Sequence, residues 1–273
     1  MIRDVNKILR KLPYGATEPV EGIIDGENVI IKTFKNRWGY KILINEYICL
    51  KIAMLLKLPI PDGGICNITK NTELSEELKS QLQYDDDICG IGFYSKRLSK
   101  VTKFICDTEL VKAIKNKEDM NKILLFDYLI YNEDRHNGNL LLNFSKNESK
   151  MYIIDHSHVF NLQNRWNERE LDLLMQQEDY KDNKILITET YCIYKPFIDA
   201  QIITKEKLIS AYEIFKSLLN NDILEDIIKD LPQVWITDKN DLKKLKEYIL
   251  YRLQNMNNII EQIAKNIVMS GGE

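Results

Sequence analysis

The sequence predicts an α+β protein of two packed lobes, a small β-rich lobe over residues 1–95 and a larger helical one over 96–273. Three observations carry this expectation. Two β-rich runs near the start flank a tight-turn dipeptide, two short apolar runs pair up near the middle of the chain, and everything beyond about residue 165 has helical periodicity. No repeat, low-complexity tract or linker rich in Pro, Gly or Ser divides the chain, so the lobes are expected to pack on one another.

In order along the chain, VEGIID-GE-NVIIKTF reads as a β-hairpin, because Asp25-Gly26 suits the positive φ values of a tight turn. Lys32 then lies on its second strand, among Ile30, Ile31 and Phe34. LINEYICLKIAMLLKL has helical spacing from about Ile42 to Lys57, is ended by Pro59 and Pro61, and carries Glu46 in its first turns. DICGIGFYSKRL reads as a strand at the change of lobe, with Gly90 and Gly92 leaving room for a close neighbour. DMNKILLFDYLIY, Asp119 to Tyr131, reads as a helix capped by Asp119. NLLLNF and MYIID follow as two strands joined by the turn-rich SKNES. The remainder reads as helices: ERELDLLMQQ, EKLISAYEIFKSLL, ILEDIIKDL and one long amphipathic stretch, DLKKLKEYILYRLQNMNNIIEQIAKNI.

Composition limits the function classes. The 273 residues are 44% hydrophobic and 29% charged with a formal net charge of -3. That balance is enough for a sizeable core and points to neither nucleic acid nor an anionic membrane as a direct partner. No apolar run approaches the roughly 20 residues of a membrane span, and MIRDVNKILRKLPYG lacks a signal-peptide stretch. Cys49, Cys66, Cys89, Cys106 and Cys192 are isolated from one another and read as buried thiols of a reducing compartment, so a cytoplasmic protein is expected.

The chemistry concentrates in NEDRHNGNLLL, Asn132 to Leu142, and YIIDHSHVF, Tyr152 to Phe160, which between them hold every histidine. Asp134 and Asn139 lie five apart on a loop entering one strand of the middle hairpin, and Asp155 ends the other strand. Two acids and an amide oxygen form a hard, oxygen-only set that suits magnesium, with one acid left to orient a nucleophile. Phosphoryl transfer from ATP needs that arrangement and also a cation on the phosphates. Lys32 is the candidate, with Glu46 as its ion-pair partner. The order Lys32, Glu46, Asp134, Asn139, Asp155 is that of the protein-kinase signature. A rival of another class gathers His156, His158, His136, Asp134 and Asp155 into a zinc, manganese or iron site for hydrolysis. It leaves Lys32 unexplained. A third reading is a nucleotide-binding module that transfers nothing.

FDYLIYNEDRHNGNLLL followed by IIDHSHVF resembles the HipA-like kinases in their compact form, and YGATEPVEGIIDGENVIIKTF, NEYICLKIAMLLKLPIP and LPQVWI extend the resemblance over most of the chain. The resemblance implies a bilobal protein-kinase-like fold and a magnesium-ATP phosphotransferase, first a serine/threonine protein kinase, with a small-molecule or lipid kinase as the alternative. It implies Asp134 as catalytic base or substrate-orienting acid, Asn139 and Asp155 as magnesium ligands, Lys32 on the ATP phosphates, and Arg135 and His136 as braces of the loop. GATEP stands where a glycine-rich phosphate loop would be but is no G-x-G-x-x-G, so its backbone amides and the Thr17 hydroxyl are the expected cradle. His156 and Ser157 follow Asp155 where many protein kinases carry Phe-Gly. A protein substrate, or the chain itself by autophosphorylation, is the expected partner, and the family also implies a small DNA-binding antitoxin-like protein that no residue here shows. Downstream, NLQNRWNERELDLLMQQEDYKD holds more acids than bases, which argues against an anionic lipid head group.

Overall fold

The computed structural model describes residues 1–13, 15–81, 88–145, 148–182, 184–186 and 191–270. Two short strands open the chain, β1 (Ile2–Asp4) and β2 (Lys7–Lys11), followed by the expected hairpin of β3 (Val20–Ile24) and β4 (Glu27–Lys32). Asp25 and Gly26 both take positive φ at its turn, as the dipeptide predicts. Helix α1 (Lys41–Leu55) comes next, then β5 (Gly63–Ile68), β6 (Glu73–Leu74), α2 (Glu76–Gln81) and β7 (Gly90–Lys96). These strands form one seven-stranded sheet in the order β1-β5-β7-β4-β3-β2-β6. The β1–β5 and β2–β6 pairs are parallel, and the other neighbours are antiparallel.

The second half begins with β8 (Val101–Lys103), α3 (Thr108–Ala113) and α4 (Asp119–Leu129), followed by the hairpin β9 (Leu140–Ser145) and β10 (Glu148–Ile153). The three strands form a separate sheet in the order β10-β9-β8. The expected turn of the hairpin falls on residues 146 and 147, outside the described residues. Helices α5 (Glu168–Gln176), α6 (Tyr191–Asp199), α7 (Lys205–Leu218), α8 (Asn221–Lys229), α9 (Lys239–Gln254) and α10 (Met256–Ser270) complete the chain. The mixed α+β architecture is therefore as expected. No helix among the described residues is long and apolar enough to cross a membrane.

Three local expectations are corrected. Asp119 is not the cap of α4. Glu118 holds that position without a side-chain capping bond, while Asp119 is the first helical residue and pairs with Lys122 at 2.9 Å. The long C-terminal helix is two helices broken at Asn255, whose amide Nδ2 donates to the Tyr251 carbonyl at 2.9 Å. A side chain that bonds its own backbone in this way competes with helix continuation. Of the five cysteines only Cys49 and Cys66 are buried, whereas Cys106 and Cys192 are exposed.

The main core runs from α1 through α4 and the β9–β10 hairpin to α10, and a smaller apolar cluster around Val5, Ile8, Val29, Ile31 and Ile68 belongs to the seven-stranded sheet. Helix α1 is central to the larger one, with every side chain from Ile42 to Leu50 buried. Burying a helix all round leaves it no polar face, and here it draws two polar residues inside, Asn45 and Glu46. Trp235, in the LPQVWI stretch, ties the helical part to the sheet by donating its Nε1–H to the carbonyl of Ile91 on β7 at 2.9 Å.

Candidate active site

Lys32 is the last residue of β4 and stands opposite Phe93 of β7. A Cβ on the adjacent Gly92 would lie 2.6 Å from the Lys32 carbonyl oxygen, so the close approach that the sequence anticipates at this glycine is to the lysine's own backbone. The buried ammonium donates to Glu46 Oε1 on α1, to Asp155 Oδ1 at 2.7 Å and to Ser157 Oγ at 2.8 Å. Glu46 Oε1 also accepts from the Ser157 hydroxyl and from the His156 backbone N–H, each at 3.0 Å. Burial works against the charge on Lys32, yet Asp155 and Glu46 outweigh it and hold the ammonium above the ordinary lysine value. Burial lifts the Glu46 carboxyl, with Lys32 pulling it back. Burial would lift Asp155 as well, but Lys32 outweighs that and holds it well below the carboxylate range.

Below this pair the loop between α4 and β9 is fastened by a buried guanidinium. Arg135 donates through Nε and Nη2 to the two Asp127 oxygens, each at 2.9 Å, and through Nη1 to the carbonyls of Asn139 at 2.9 Å and Ile154 at 3.1 Å. Ile154 N–H in turn donates to the Asn139 carbonyl at 3.1 Å. One side chain thus holds the entry to β9 and the exit from β10 together, which brings Asn139 and Asp155 to the same end of the hairpin. Arg135 is the brace that was expected, and His136 helps locally by accepting from Gly138 N–H at 2.9 Å. Asn132 caps the arrangement, accepting from Asp134 N–H at 3.0 Å and donating to Asp127 at 2.9 Å.

Asn139 Nδ2 donates to the Asp134 carbonyl at 2.8 Å and to its Oδ2 at 3.3 Å. With the nitrogen committed, Asn139 Oδ1 has no donor among the described residues. Asp134 is half-buried, and burial followed by the neighbouring Asp155 charge raises its pKa above the ordinary aspartate value, against His136, His158 and Arg135. It opens onto a pocket of about 90 Å³ lined by Tyr131, Glu133, His158, Asn161 and Gln163. Asp155 has φ of 59°, a left-handed conformation that a non-glycine residue adopts at a cost and that clusters at functional sites.

The structure therefore joins Lys32, Glu46 and Asp155 directly, and joins Asp134 to Asn139. Thr17 stands apart from both groups, buried at 3% exposure in the turn between β2 and β3. That turn is held by Trp38 Nε1–H and Arg37 Nε–H, which donate to the Ala16 carbonyl at 2.7 and 3.2 Å. Two residues of the site were missed by sequence reasoning. Ser157 bridges Lys32 and Glu46. Asn45 donates to the Ser157 carbonyl at 2.7 Å and the Gln163 carbonyl at 2.9 Å, and accepts from Trp166 Nε1–H at 2.9 Å, which pins the segment after Asp155 onto α1. Ser157 stood in the motif but was passed over as a departure from Phe-Gly, and only the helical position of Asn45 next to Glu46 hinted at its role.

The histidine-based metal site does not assemble. His156 Nε2 faces Arg135 Nη2 at 3.0 Å, and because a guanidinium only donates, that ring nitrogen is committed as an acceptor. His136 Nδ1 is likewise engaged by Gly138, and His158 packs edge-on against Trp38 with ring centroids 5.1 Å apart. Among the described residues no three His, Cys, Asp or Glu side chains are grouped to hold a metal.

Comparison with solved structures shows a kinase fold. The chain is similar to the Helicobacter pylori proinflammatory kinase CtkA, with a TM-score of 0.58 and 12% identity over 98% of this chain and 99% of that one. It is similar to hydra Fam20, solved with sugar, with a TM-score of 0.58 and 14% identity over 96% of this chain and 87% of that one. Shewanella oneidensis HipA, solved with HipB and operator DNA, matches at a TM-score of 0.45 and 10% identity over 94% of this chain and 67% of that one. No curated protein matches the sequence. The family model described as HipA-like kinase matches residues 5–266, nearly the whole chain, and the protein belongs to that family of kinase-type phosphotransferases.

Proposed function

We propose that this protein is a magnesium-dependent kinase that transfers the γ-phosphoryl group of ATP to a serine or threonine hydroxyl of a protein, its own chain included. The observation that carries the reading is the Lys32 ammonium held between Glu46 on α1 and Asp155 at the end of β10. Such a cation is poised for the nucleotide phosphates, and its glutamate partner fixes its direction. The lobes meet near residue 96, where the last strand of the seven-stranded sheet ends, and ATP binds between them.

Magnesium fits the residues present. It needs only one or two protein ligands when phosphate and water supply the rest. Asn139 Oδ1 is left without a donor because its amide nitrogen is anchored, and the Asp155 side chain is 30% exposed beside it. When bound, the metal would offset charge on the phosphates. Asp134 would orient the acceptor hydroxyl and take its proton, a task that its raised pKa favours. The pocket beside it is lined largely by polar side chains, which can receive an acceptor hydroxyl. Its Glu133 and Asp134 would repel an anionic acceptor. With Thr17 buried, the phosphate cradle at GATEP rests on backbone amides unless the turn opens to free the hydroxyl.

Incubation with γ-labelled ATP and magnesium, followed by mass spectrometry of phosphorylated residues, tests the reading. The wild type should label a protein serine or threonine, and Asp134→Ala should lose at least ~100-fold in rate while still binding ATP. Tight ATP binding with no transfer to any protein hydroxyl would favour a binding module, and unchanged transfer in the variant would remove Asp134 from its role.

A further inference from the structure

The proposed reaction makes conflicting demands on Asp155. In the structure its Oδ1 accepts from Lys32 at 2.7 Å, and a magnesium ion on the same carboxylate would draw on the charge that holds the ammonium. Lys32 has two other oxygens to hold it, Glu46 Oε1 and Ser157 Oγ, the latter at 2.8 Å. Ser157 is fully buried and fixed on every side. Its hydroxyl donates to Glu46 at 3.0 Å, its N–H to Asp155 Oδ1 at 3.4 Å, and its carbonyl accepts from Asn45 at 2.7 Å. Its hydroxyl meets Lys32 and Glu46 and its backbone N–H meets Asp155, so one residue contacts all three.

We infer that Ser157 is a positioning residue, the hydroxyl that keeps the Lys32 ammonium in place when Asp155 shares its charge with the metal. The inference rests on the proposed function and adds to it a residue at the position where many protein kinases carry glycine. With the hydroxyl present, weakening the Asp155 contact leaves the ammonium two other protein oxygens beside the nucleotide phosphates. Without it Glu46 is the one protein oxygen left to the ammonium besides Asp155, so the lysine leans harder on Asp155 and the metal competes less well. The serine therefore acts on magnesium affinity through Lys32, without touching metal or nucleotide.

The test measures binding of a fluorescent, non-hydrolysable ATP analogue across a magnesium titration, for the wild type, Ser157→Ala and Val159→Ala. Val159 is buried and apolar, so its truncation perturbs the packing of the same segment without removing a polar contact. Ser157→Ala should need about five-fold more magnesium for half-maximal binding, the scale of losing part of one hydrogen bond to a charged group. Val159→Ala should melt lower but keep the wild-type magnesium dependence. An unchanged titration in Ser157→Ala, or an equal shift in Val159→Ala, would overturn the inference and leave the kinase reading intact. A wild type that binds no analogue with magnesium would instead bring down the proposed function.

Discussion

Two buried charge networks lie side by side in this molecule, and they differ in how completely they are satisfied. In the Asp127–Arg135 pair both side chains are at most 1% exposed. Each Asp127 oxygen accepts twice, Oδ1 from Arg135 and Asn132, Oδ2 from Arg135 and the Tyr194 hydroxyl. The Lys32 network instead sets one ammonium against two carboxylates, and the Asp155 side chain keeps 30% of its surface open. A closed network has no capacity left for a ligand and serves as a brace. One with excess negative charge beside an opening is unbalanced until something cationic arrives.

The largest effect should separate the two by what fails. Arg135→Ala leaves Asp127 charged and fully buried without its cation, which should cost about 3–5 kcal/mol in urea unfolding. Lys32→Ala should cost less than half as much, because Glu46, already raised by burial, can take a proton and Asp155 reaches solvent. Its phosphoryl transfer should nevertheless fall at least ~100-fold. A Lys32→Ala protein as unstable as Arg135→Ala would break the distinction between brace and chemistry. An intermediate loss is expected for Asn45→Ala, which strips partners from two carbonyls and the Trp166 indole and should destabilise by about 1–3 kcal/mol. Its urea midpoint should fall between those of the wild type and Arg135→Ala.

The open network was largely legible in the sequence because the order Lys32, Glu46, Asp155 follows a known signature, although Lys32 and Asp155 lie 123 positions apart. Asp25-Gly26 predicts the hairpin that carries Lys32, and the five-residue step from Asp134 to Asn139 lies within one loop. The closed network was legible only as a set of braces without partners, since nothing local says that Tyr194 reaches Asp127, sixty-seven positions upstream. Ser157 and Asn45 stayed hidden because they meet their partners across 111 and 112 positions with no signature to connect them. The parallel pairing of β1 with β5 is equally non-local, and both strands are too short to show a period. Asn255 shows the converse failure. The apolar spacing there is truly helical on both sides, and the interruption at Asn255, whose side chain bonds the Tyr251 carbonyl, leaves no trace in it.

His156 joins the two networks and allows the finest test of their separation. Its backbone N–H donates to Glu46 in the open network, while its ring Nε2 accepts from Arg135 in the closed one. Burial and then the Arg135 charge push the imidazole well below its ordinary value, with Lys32 adding to the depression and Asp155 opposing it. The unfolded chain takes up a proton below about pH 6.5 and the folded ring does not, so stability is lost as pH falls from there toward the depressed value. The slope from this one site is at most ~1.4 kcal/mol per pH unit. Asp155 acts in a different window. Its depressed pKa contributes stability that is fully present above about pH 3.9 and is lost only below it. Glu46 and Asp134, both raised, act in the opposite direction and alike in both proteins, so melting without nucleotide or divalent cation should show the wild type losing stability relative to His156→Gln, which still offers Arg135 an acceptor, as pH falls from about 6.5 to 5. Equal slopes in the two proteins would mean that the ring does not resist protonation, and the closed network would then share the adaptability of the open one.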